Sequence, residues 1–236
     1  MTSPDLPTPT VPGREATDPF TPQSRHIAVV SGGLGEPSQS TMLAEALAEA
    51  TADALAEQGV APQVHMIPLR PLAGDIAQAL VTPTRSEPLA EALRQVQTAD
   101  GVVAVSPTFK ASYSGLFKSF VDLLEDGTLT GVPVLLGATG GTARHSLMID
   151  TALRPLFAYL RTQAVPTAVF AASDDWGRAQ GQQESLSTTP LRARIADAGR
   201  DLATALTLRQ PRPRPTTDDP SPLEVTPFDQ LLHPAS

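Results

Sequence analysis

Short apolar runs alternate with longer amphipathic stretches along most of this chain, and this alternation constrains its fold more than any other feature. The runs are bounded by small or turn-forming residues, which is typical of strands buried on both faces. They span residues 26–31, 63–67, 101–105, 132–138 and 167–171. Apolar residues at helical spacing follow over residues 40–58, 87–98, 115–124, 145–160 and 190–208. Five strands alternating with five helices predict an α/β domain built on a doubly wound parallel sheet, with helices on both faces.

The two ends of the chain differ from this body in composition. More than half of the 24 prolines lie within residues 1–24 and 210–236, and proline removes a backbone donor and disfavours helices. Large apolar residues are also sparse there, so the segments are predicted to be a disordered N-terminal tail and a Pro-rich C-terminal tail. The body between them, residues 25–209, is predicted to be a single domain.

Composition excludes several classes of function. The chain has no cysteine, which excludes disulfide frameworks, cysteine-ligated metals and thiol nucleophiles. A formal net charge of -8 and the lack of a basic patch argue against nucleic-acid binding. The apolar runs are too short to cross a membrane and no secretory signal opens the chain, so a cytoplasmic protein is expected. No metal site is expected, because no two histidines have i, i+4 spacing.

Ligands in doubly wound sheets bind at the carboxyl ends of the strands, so the loops after the first, third and fourth strands form the candidate site. The first loop, SGGLGEPSQST (residues 31–41), combines glycines with hydroxyls at the start of a helix. Helix amides and the hydroxyls of Ser38, Ser40 and Thr41 suit a monoester phosphate. The loop lacks the lysine of a Walker motif and the third glycine of a dinucleotide fingerprint. A turn with an ordinary serine N-cap is the alternative.

The second and third loops suit a flat ring. In the second, Pro107 stiffens the strand exit. Thr108, Phe109 and Lys110 then offer a hydroxyl, a planar face and a cation to a planar heterocycle. The alternatives are that Phe109 belongs to the core and that Lys110 is a solvated charge. The third loop, ATGGT, has adjacent glycines that let main-chain amides approach a ligand. His145 follows at a helix start, where a structural role is favoured over a substrate contact.

Three motifs, in order and at the ends of predicted strands, carry a family resemblance. They are SGGLGEPSQST, SPTFKASYSGLFKSFVDLL and GATGGTARHSLMIDTALRP. On these motifs the sequence resembles the NAD(P)H-dependent FMN reductases of the flavodoxin-like superfamily over residues 26–209. The resemblance implies a five-stranded sheet of order 2-1-3-4-5, FMN as cofactor and NADPH or NADH as co-substrate. It also implies a homodimer or homotetramer that supplies reduced flavin to a partner monooxygenase.

The resemblance assigns roles to three sets of residues. By position, the FMN phosphate would be bound by Ser31, Ser38, Gln39, Ser40 and Thr41. The flavin ring would be held by Pro107, Thr108, Phe109 and Lys110 and contacted by Thr139, Gly140, Gly141 and Thr142. Many members have arginine where this chain has Gln39, and the change weakens the charge opposite the phosphate. Tyr113 is carried over as a subunit-interface residue. No side chain is required as a catalyst, because the flavin carries the hydride chemistry.

Two other activities fit the same residues. A flavin reductase could pass its electrons to a quinone, an azo dye or a metal ion, and its site would look the same. A non-enzymatic flavodoxin-like electron carrier or flavin-binding module is the remaining alternative. Aromatic residues make up 4% of the chain. Because such carriers hold FMN tightly between aromatic side chains, this composition disfavours the carrier.

Overall fold

The computed structural model describes residues 24–177 and 190–213. Most of the two predicted tails, residues 1–23 and 214–236, lies outside the described residues, as does the segment 178–189 before the last helix. The predicted disorder of the tails and the limits of the domain therefore stay predictions. Within the described part of the chain, no helix has the length and apolar character needed to cross a membrane.

One parallel sheet organises the described chain. Its strands are β1 (Ser24–Ser31), β2 (Ala61–Pro68), β3 (Gly101–Pro107), β4 (Pro133–Gly140), β5 (Gln163–Ala164) and β6 (Val169–Ala172). Every pairing is parallel, and the order is β2-β1-β3-β4-β5, with β6 also paired to β4. This is the 2-1-3-4-5 order of flavodoxin-like sheets, so the predicted fold class is confirmed.

The outermost strands of the sheet, beside β4, differ from the prediction. In place of one fifth strand over residues 167–171, β5 pairs with residues 133–134 and β6 pairs with residues 137–140. The amide of Val165 still donates to a β4 carbonyl at 2.9 Å. Pro166 follows and has no amide to donate, so it interrupts the pairing. The described residues form six strands for this reason, and β6 occupies the place expected for the fifth.

Helices cover both faces of the sheet. They are α1 (Gln39–Glu57), α2 (Ala73–Val81), α3 (Glu87–Thr98), α4 (Gly115–Val121), α5 (Arg154–Tyr159), α6 (Ser173–Gly177) and α7 (Leu191–Thr207). Side chains of β1 alternate between two cores. Ile27 and Val29 pack on the side of α1 and α7, whereas Ala28 and Val30 pack on the side of α3, α4 and α5. The doubly wound arrangement predicted from the sequence is therefore present.

The sequence pattern does not predict α2 and α6. In α2 apolar residues do recur at helical spacing, at Ile76 and Leu80, but the helix has only 9 residues and is not among the predicted elements. Ile76 is buried, whereas Leu80 and Val81 are exposed. α6 has 5 residues directly after β6, and a helical repeat cannot show itself over so short a stretch.

The helix predicted over residues 145–160 is only partly regular. Its α-helical part is α5, which follows a 3-10 turn at Ala143–His145 and a π-helical turn at Ile149–Leu153. Pro155 stands in the first turn of α5. It has no amide to donate to the preceding turn, so the hydrogen-bond pattern changes there.

Arginines stabilise the amino edge of the sheet, where the strands begin. Arg25 is 1% exposed. Its Nε donates to Leu206 O at 3.2 Å, and its Nη2 donates to Arg209 O at 2.7 Å. Leu206 lies in the last turn of α7, where its carbonyl also accepts from Arg209 N at 3.3 Å, and Arg209 lies just past the helix. Arg25 thus links the start of β1 to the end of α7. The guanidinium of Arg212 donates to further main-chain carbonyls, those of Gln97, Ala99 and Thr128.

Asp100 accepts hydrogen bonds from two main-chain amides at this edge. Its carboxylate accepts from the amide of Arg212 at 2.7 Å and from the amide of His26 at 2.8 Å. Burial lowers the pKa of Arg212, and the charge of Asp100 opposes that shift. The chain at Arg212 therefore packs on the body, just past the predicted end of the domain at Arg209.

Candidate functional site

The three predicted loops meet at the carboxyl edge of the sheet, where the strands end. β1, β3 and β4 are neighbours, and Pro107 lies opposite Thr139 at the ends of β3 and β4. Gly32 N donates to Val105 O at 2.8 Å, and Thr108 N donates to Thr139 O at 2.7 Å. The structure thus brings all three loops, and with them every predicted site residue, to one edge.

Glycines let the first loop pass close to its neighbours. A Cβ on Gly33 would lie 2.0 Å from Ser38 Oγ, and one on Gly32 would lie 2.9 Å from Phe117 Cβ. Both distances are shorter than real contacts, so a side chain here would displace the loop. The loop folds over the start of α1, where Ser38 is the N-cap and its Oγ accepts from Thr41 N at 3.2 Å. The predicted N-cap is therefore real, and the phosphate role stays a prediction.

Hydroxyls of the first loop are clustered but differ in accessibility. Ser31 Oγ and Thr41 Oγ1 lie 3.0 Å apart, and Ser40 Oγ lies 2.7 Å from Thr139 Oγ1. Ser31, Ser40 and Thr139 are buried, whereas Gln39 is exposed at the first position of α1. A hydroxyl donates one hydrogen bond and accepts two, so each keeps capacity for another partner. The Ser40–Thr139 bond also ties the first loop to the third.

A salt bridge at the first loop lies outside the sequence prediction. Glu36 pairs with Arg70, which opens a 3-10 turn (Arg70–Leu72) directly after β2. Both side chains are exposed. A lone carboxylate in this loop would repel a phosphate, and the guanidinium offsets that charge. Sequence reasoning cannot find the pair, because the two residues are 34 positions apart and meet only through the pairing of β1 with β2.

Two buried serines fix the second loop and are absent from the predicted site. Ser114 N donates to Ser106 Oγ at 2.9 Å, and Ser114 Oγ donates to Gly32 O at 3.2 Å. Ser114 also caps α4 by accepting from Phe117 N at 3.2 Å. A serine before a helix predicts an N-cap, but nothing in the sequence predicts a bond from this serine to the first loop.

The tip of the second loop is a tight turn in an uncommon conformation. Phe109 N donates to Ser112 O at 2.8 Å, and Ser112 N donates to Phe109 O at 3.1 Å. The central residues Lys110 and Ala111 have φ of 52° and 64°, although neither is glycine or asparagine. This left-handed region costs about 1–2 kcal/mol for each such residue, so the surrounding structure must stabilise it. Conformations of this kind are concentrated at ligand sites.

The exposure of the side chains around this turn shows whether Phe109 belongs to the core and whether Lys110 is solvated. Phe109 is 45% exposed, so it is not a core residue, and Lys110 is exposed as well. Tyr113 is half-buried and packs against Phe117, with ring centroids 6.3 Å apart. It precedes α4, which is a regular α-helix. The interface role of Tyr113 stays a prediction.

The third loop has open space beside it. Gly141 is exposed, and a Cβ there would meet nothing within 4 Å. Gly140 differs, because a Cβ there would lie 2.8 Å from Phe170 Cζ. Thr142 and His145 are exposed, and His145 N donates to Thr142 O at 3.2 Å. The helix start expected at His145 is thus a 3-10 turn.

Thr108 packs between the second and third loops. Its Oγ1 lies 3.5 Å from the position that a Cβ on Gly140 would take. This oxygen is covered by protein atoms and has no hydrogen-bond partner among the described residues, as is also true of Gln97 Nε2 and Trp176 Nε1. Beside it, the exposed ring of Phe109 and the open space next to Gly141 leave room for a flat ring. The residues present therefore fit a flavin.

Comparison with known proteins decides the family. The family model described as NADPH-dependent FMN reductase matches residues 25–177. The chain belongs to this family. Over 146 residues it is 39% identical to the NADH-dependent FMN reductase SfnF of Pseudomonas putida, an alignment that covers 62% of this chain and 76% of that protein. Over 181 residues it is 33% identical to an FMN reductase (NADPH) of Pseudomonas aeruginosa, covering 76% of this chain and 88% of that one.

A solved structure agrees with this assignment. The structure of an oxidoreductase from Corynebacterium diphtheriae superimposes with a TM-score of 0.72 at 39% identity. The match covers 80% of this chain and 99% of the other. As a member of the FMN reductase family, the protein is an oxidoreductase that reduces FMN with NAD(P)H. The predicted activity and cofactors are confirmed.

The reaction of an FMN reductase requires no nucleophilic side chain in the site. When bound, FMN accepts a hydride from the nicotinamide ring of NAD(P)H and supplies the electronic part of the reaction. The protein has to bind both molecules and orient them, and it needs no nucleophile. Among the described residues, no three His, Asp or Glu side chains lie close enough together to hold a metal ion.

Proposed function

We propose that FMN lies along the carboxyl edge of the sheet, with its phosphate at the first loop and its ring between the second and third loops. One observation supports this placement above the others. The hydroxyl cluster at the start of α1 and the open space beside Gly141 lie on the same edge, and the Ser40–Thr139 hydrogen bond joins the two loops. The two ends of FMN require these two environments, an anion site and a flat polar slot.

At the phosphate end, main-chain amides at the start of α1 are the proposed donors. A helix of 19 residues has unpaired amides and a partial positive charge at its N-terminus, and both stabilise an anion. The hydroxyls of Ser38 and Thr41 add to this cradle. Ser40 is buried and bonded to Thr139, so it supports the phosphate and the third loop together. Gln39 can donate a hydrogen bond but adds no charge.

At the ring end, Phe109 contributes a flat apolar face, and Thr108, whose amide donates to Thr139 O, holds the second loop against the third. Gly141 keeps the opposite side clear of side chains and has open space beside it, whereas Gly140 makes room for the ring of Phe170. Because the chain has no dinucleotide fingerprint, NAD(P)H is proposed to stack on the exposed side of the flavin and then depart. The side chains orient the two rings and exclude water from between them.

We also propose that reduced FMN leaves this protein and serves a separate monooxygenase. Gln39 brings no charge to the phosphate, and Arg70 is already paired with Glu36. The third loop and the turn after it are exposed over residues 141–147. These features favour exchange of the flavin over retention.

A homodimer or homotetramer is the proposed assembly. Each loop region of the site exposes a large apolar side chain: Leu34, Phe109 and Leu147 are 44%, 45% and 66% exposed. Apolar side chains gathered around one site mark a surface that becomes buried against another molecule. A second subunit would cover this rim and deepen the slot. Light scattering that reports a monomer at micromolar concentration would contradict the assembly.

Anaerobic ultrafiltration tests the release of flavin. The protein is mixed with FMN and excess NADPH or NADH, and flavin is measured in the filtrate. We expect oxidised and reduced FMN to pass through the filter, and oxidation of NAD(P)H to depend on added FMN. Reduced flavin that stays with the protein would contradict the proposal and favour a carrier. Faster NAD(P)H oxidation with menadione or an azo dye than with FMN would favour a different final acceptor.

A further inference from the structure

We infer that Lys110 and Arg144 form an anion subsite for the phosphate groups of the nicotinamide dinucleotide. The inference rests on the proposed position of the flavin ring, because the dinucleotide must reach that ring. Lys110 lies at the tip of the second loop, and Arg144 lies in the 3-10 turn after the third loop. The two loops leave neighbouring strands, β3 and β4, so both cations stand at the ring end of the site.

Most other cations in the described chain are engaged within the protein. Carboxylates pair with Arg70, Arg94, Lys118, Arg154, Arg194 and Arg200. Main-chain carbonyls accept from Arg25, Arg85, Arg209 and Arg212. Four exposed cations have no such partner among the described residues: Lys110, Arg144, Arg161 and Arg192. Of these four, Lys110 lies in the second loop and Arg144 in the turn after the third loop, whereas Arg192 lies in α7 and Arg161 at the amino edge. The charges of Lys110 and Arg144 are therefore available to an anionic ligand.

The backbone at Lys110 gives a second reason. Lys110 and its neighbour Ala111 both have positive φ, in a turn that normally selects glycine, asparagine or aspartate at these positions. Two reciprocal main-chain hydrogen bonds between Phe109 and Ser112 close this turn. The chain thus keeps lysine in a conformation that lysine disfavours, and the ammonium group projects from a fixed tip. Because Arg161 has a similar φ away from the site, the conformation supports a function only together with the position of Lys110 at the tip of the second loop.

The overall charge gives a third reason. The protein carries a formal net charge of -8, which opposes the approach of an anionic dinucleotide. Cations placed at the rim of the site offset this repulsion locally and raise the rate of association. Lysine is rare in this chain, with only Lys110 and Lys118, and Lys118 pairs with Asp122 at 2.5 Å. Lys110 is therefore the one lysine available at the site.

The phosphates of the dinucleotide are of two kinds. The pyrophosphate is common to NADH and NADPH, whereas the 2′-phosphate belongs to NADPH alone. Both are oxyanions that ammonium and guanidinium groups bind through charge-assisted hydrogen bonds. Comparing the rates with NADH and with NADPH therefore shows which phosphate group the two cations bind.

The test uses Lys110→Gln and Arg144→Gln in the full chain, with Lys110→Arg and Arg144→Lys as charge-preserving variants. Arg161→Gln is the matched control, because Arg161 is exposed and also has positive φ, at 57°, but lies at the amino edge. Steady-state rates with NADPH and with NADH are measured at low and high salt. The Kd of FMN is measured separately by fluorescence, without any dinucleotide.

We expect each glutamine variant to lower kcat/KM for the dinucleotide about tenfold, equivalent to ~1.4 kcal/mol, mainly through KM. Salt should weaken the wild type more than these variants. The charge-preserving variants should recover most of the loss, and Arg161→Gln should behave as wild type. Equal losses with NADH and NADPH would assign the cations to the pyrophosphate, and a larger loss with NADPH would assign them to the 2′-phosphate. Both results support the subsite.

Two results would overturn the inference. One is an unchanged kcat/KM with both dinucleotides in both glutamine variants. The other is a Kd for FMN that weakens as much as kcat/KM falls, because the cations would then serve the flavin or the fold of the loop. Failure of the proposed flavin site would show differently: in that case the wild-type protein itself would not bind FMN at the three loops.

Discussion

At the amino edge of the sheet, Arg25 and Arg212 give their donors to main-chain carbonyls. At the carboxyl edge, Lys110 and Arg144 are exposed and have no partner among the described residues. The buried arginines of the amino edge therefore hold the fold together, whereas the exposed cations of the site stay available to a ligand. A buried donor that is satisfied stabilises the fold, and an exposed charge adds little to it. Variants at the two edges should accordingly fail in different ways.

The largest expected effect is on stability, at the amino edge. Arg25→Met leaves the carbonyls of Leu206 and Arg209 without this buried donor, so we expect the free energy of unfolding to fall by about 2–4 kcal/mol. Urea denaturation measures the change. The Kd of FMN for the folded protein should stay within about twofold. Arg161→Gln, exposed at the same edge, should change stability by less than about 0.5 kcal/mol. A loss of FMN affinity in Arg25→Met without a loss of stability would show that Arg25 serves FMN binding rather than the stability of the fold.

The next effect separates the two ends of FMN. Ser40→Ala removes a hydroxyl from the proposed phosphate cradle, a hydrogen bond to a charged group worth roughly 1.5–3 kcal/mol. The Kd of FMN should rise about ten- to a hundredfold, and the Kd of riboflavin, which has no phosphate, should change far less. Flavin fluorescence measures both. If the two flavins weaken equally, the Ser40–Thr139 bond is purely structural and the first loop is not a phosphate cradle.

Gly141→Val should affect both flavins alike. A branched side chain at this position fills the slot proposed for the flavin and nicotinamide rings, so turnover with FMN and with riboflavin should fall roughly tenfold or more. Stability should be almost unchanged, because the position is open and its φ is not left-handed. Thermal denaturation provides this control. Full activity in a stably folded Gly141→Val protein would remove the third loop from the site.

The smallest effect concerns the salt bridge at the first loop. Glu36→Gln removes a negative charge near the proposed phosphate and releases Arg70, so the affinity for FMN should rise about threefold at low salt. Arg70→Gln should lower it by a similar factor, since exposed pairs contribute only up to ~1 kcal/mol. Both changes should fade at high salt. Changes in the same direction for the two variants would show that this pair acts on the shape of the loop rather than on charge.

The sheet could be predicted from sequence because its strands are apolar on both faces and lie between turn residues. β1, β3 and β4 are buried almost throughout, so their pattern is unambiguous. The division of the predicted fifth strand into β5 and β6 depends on Pro166. The effect of this proline is visible only once the pairing with β4 is known. α2 escapes prediction although Ile76 and Leu80 have helical spacing, because the helix spans only 9 residues.

The position of the site could also be predicted, because the carboxyl edge of a parallel sheet gathers its loops. The ion pair and hydrogen bonds inside the site could not be predicted. The Glu36–Arg70 pair and the bond from Ser114 to Gly32 join residues far apart in sequence. The positive φ of Lys110 has no signal in a Lys-Ala pair, because only the tertiary structure stabilises it. Sequence patterns thus locate the site, and tertiary contacts determine its geometry.

Hydrogen exchange measured by mass spectrometry, with and without saturating FMN, tests whether FMN binds along the carboxyl edge. We expect FMN to slow exchange in residues 31–41, 106–115 and 138–147, and to leave the amino edge near Arg25 and Arg212 unchanged. Amides at the start of α1 should gain the most protection, because they are the proposed donors to the phosphate. Protection at the amino edge, or none in the first loop, would contradict the proposed position of FMN.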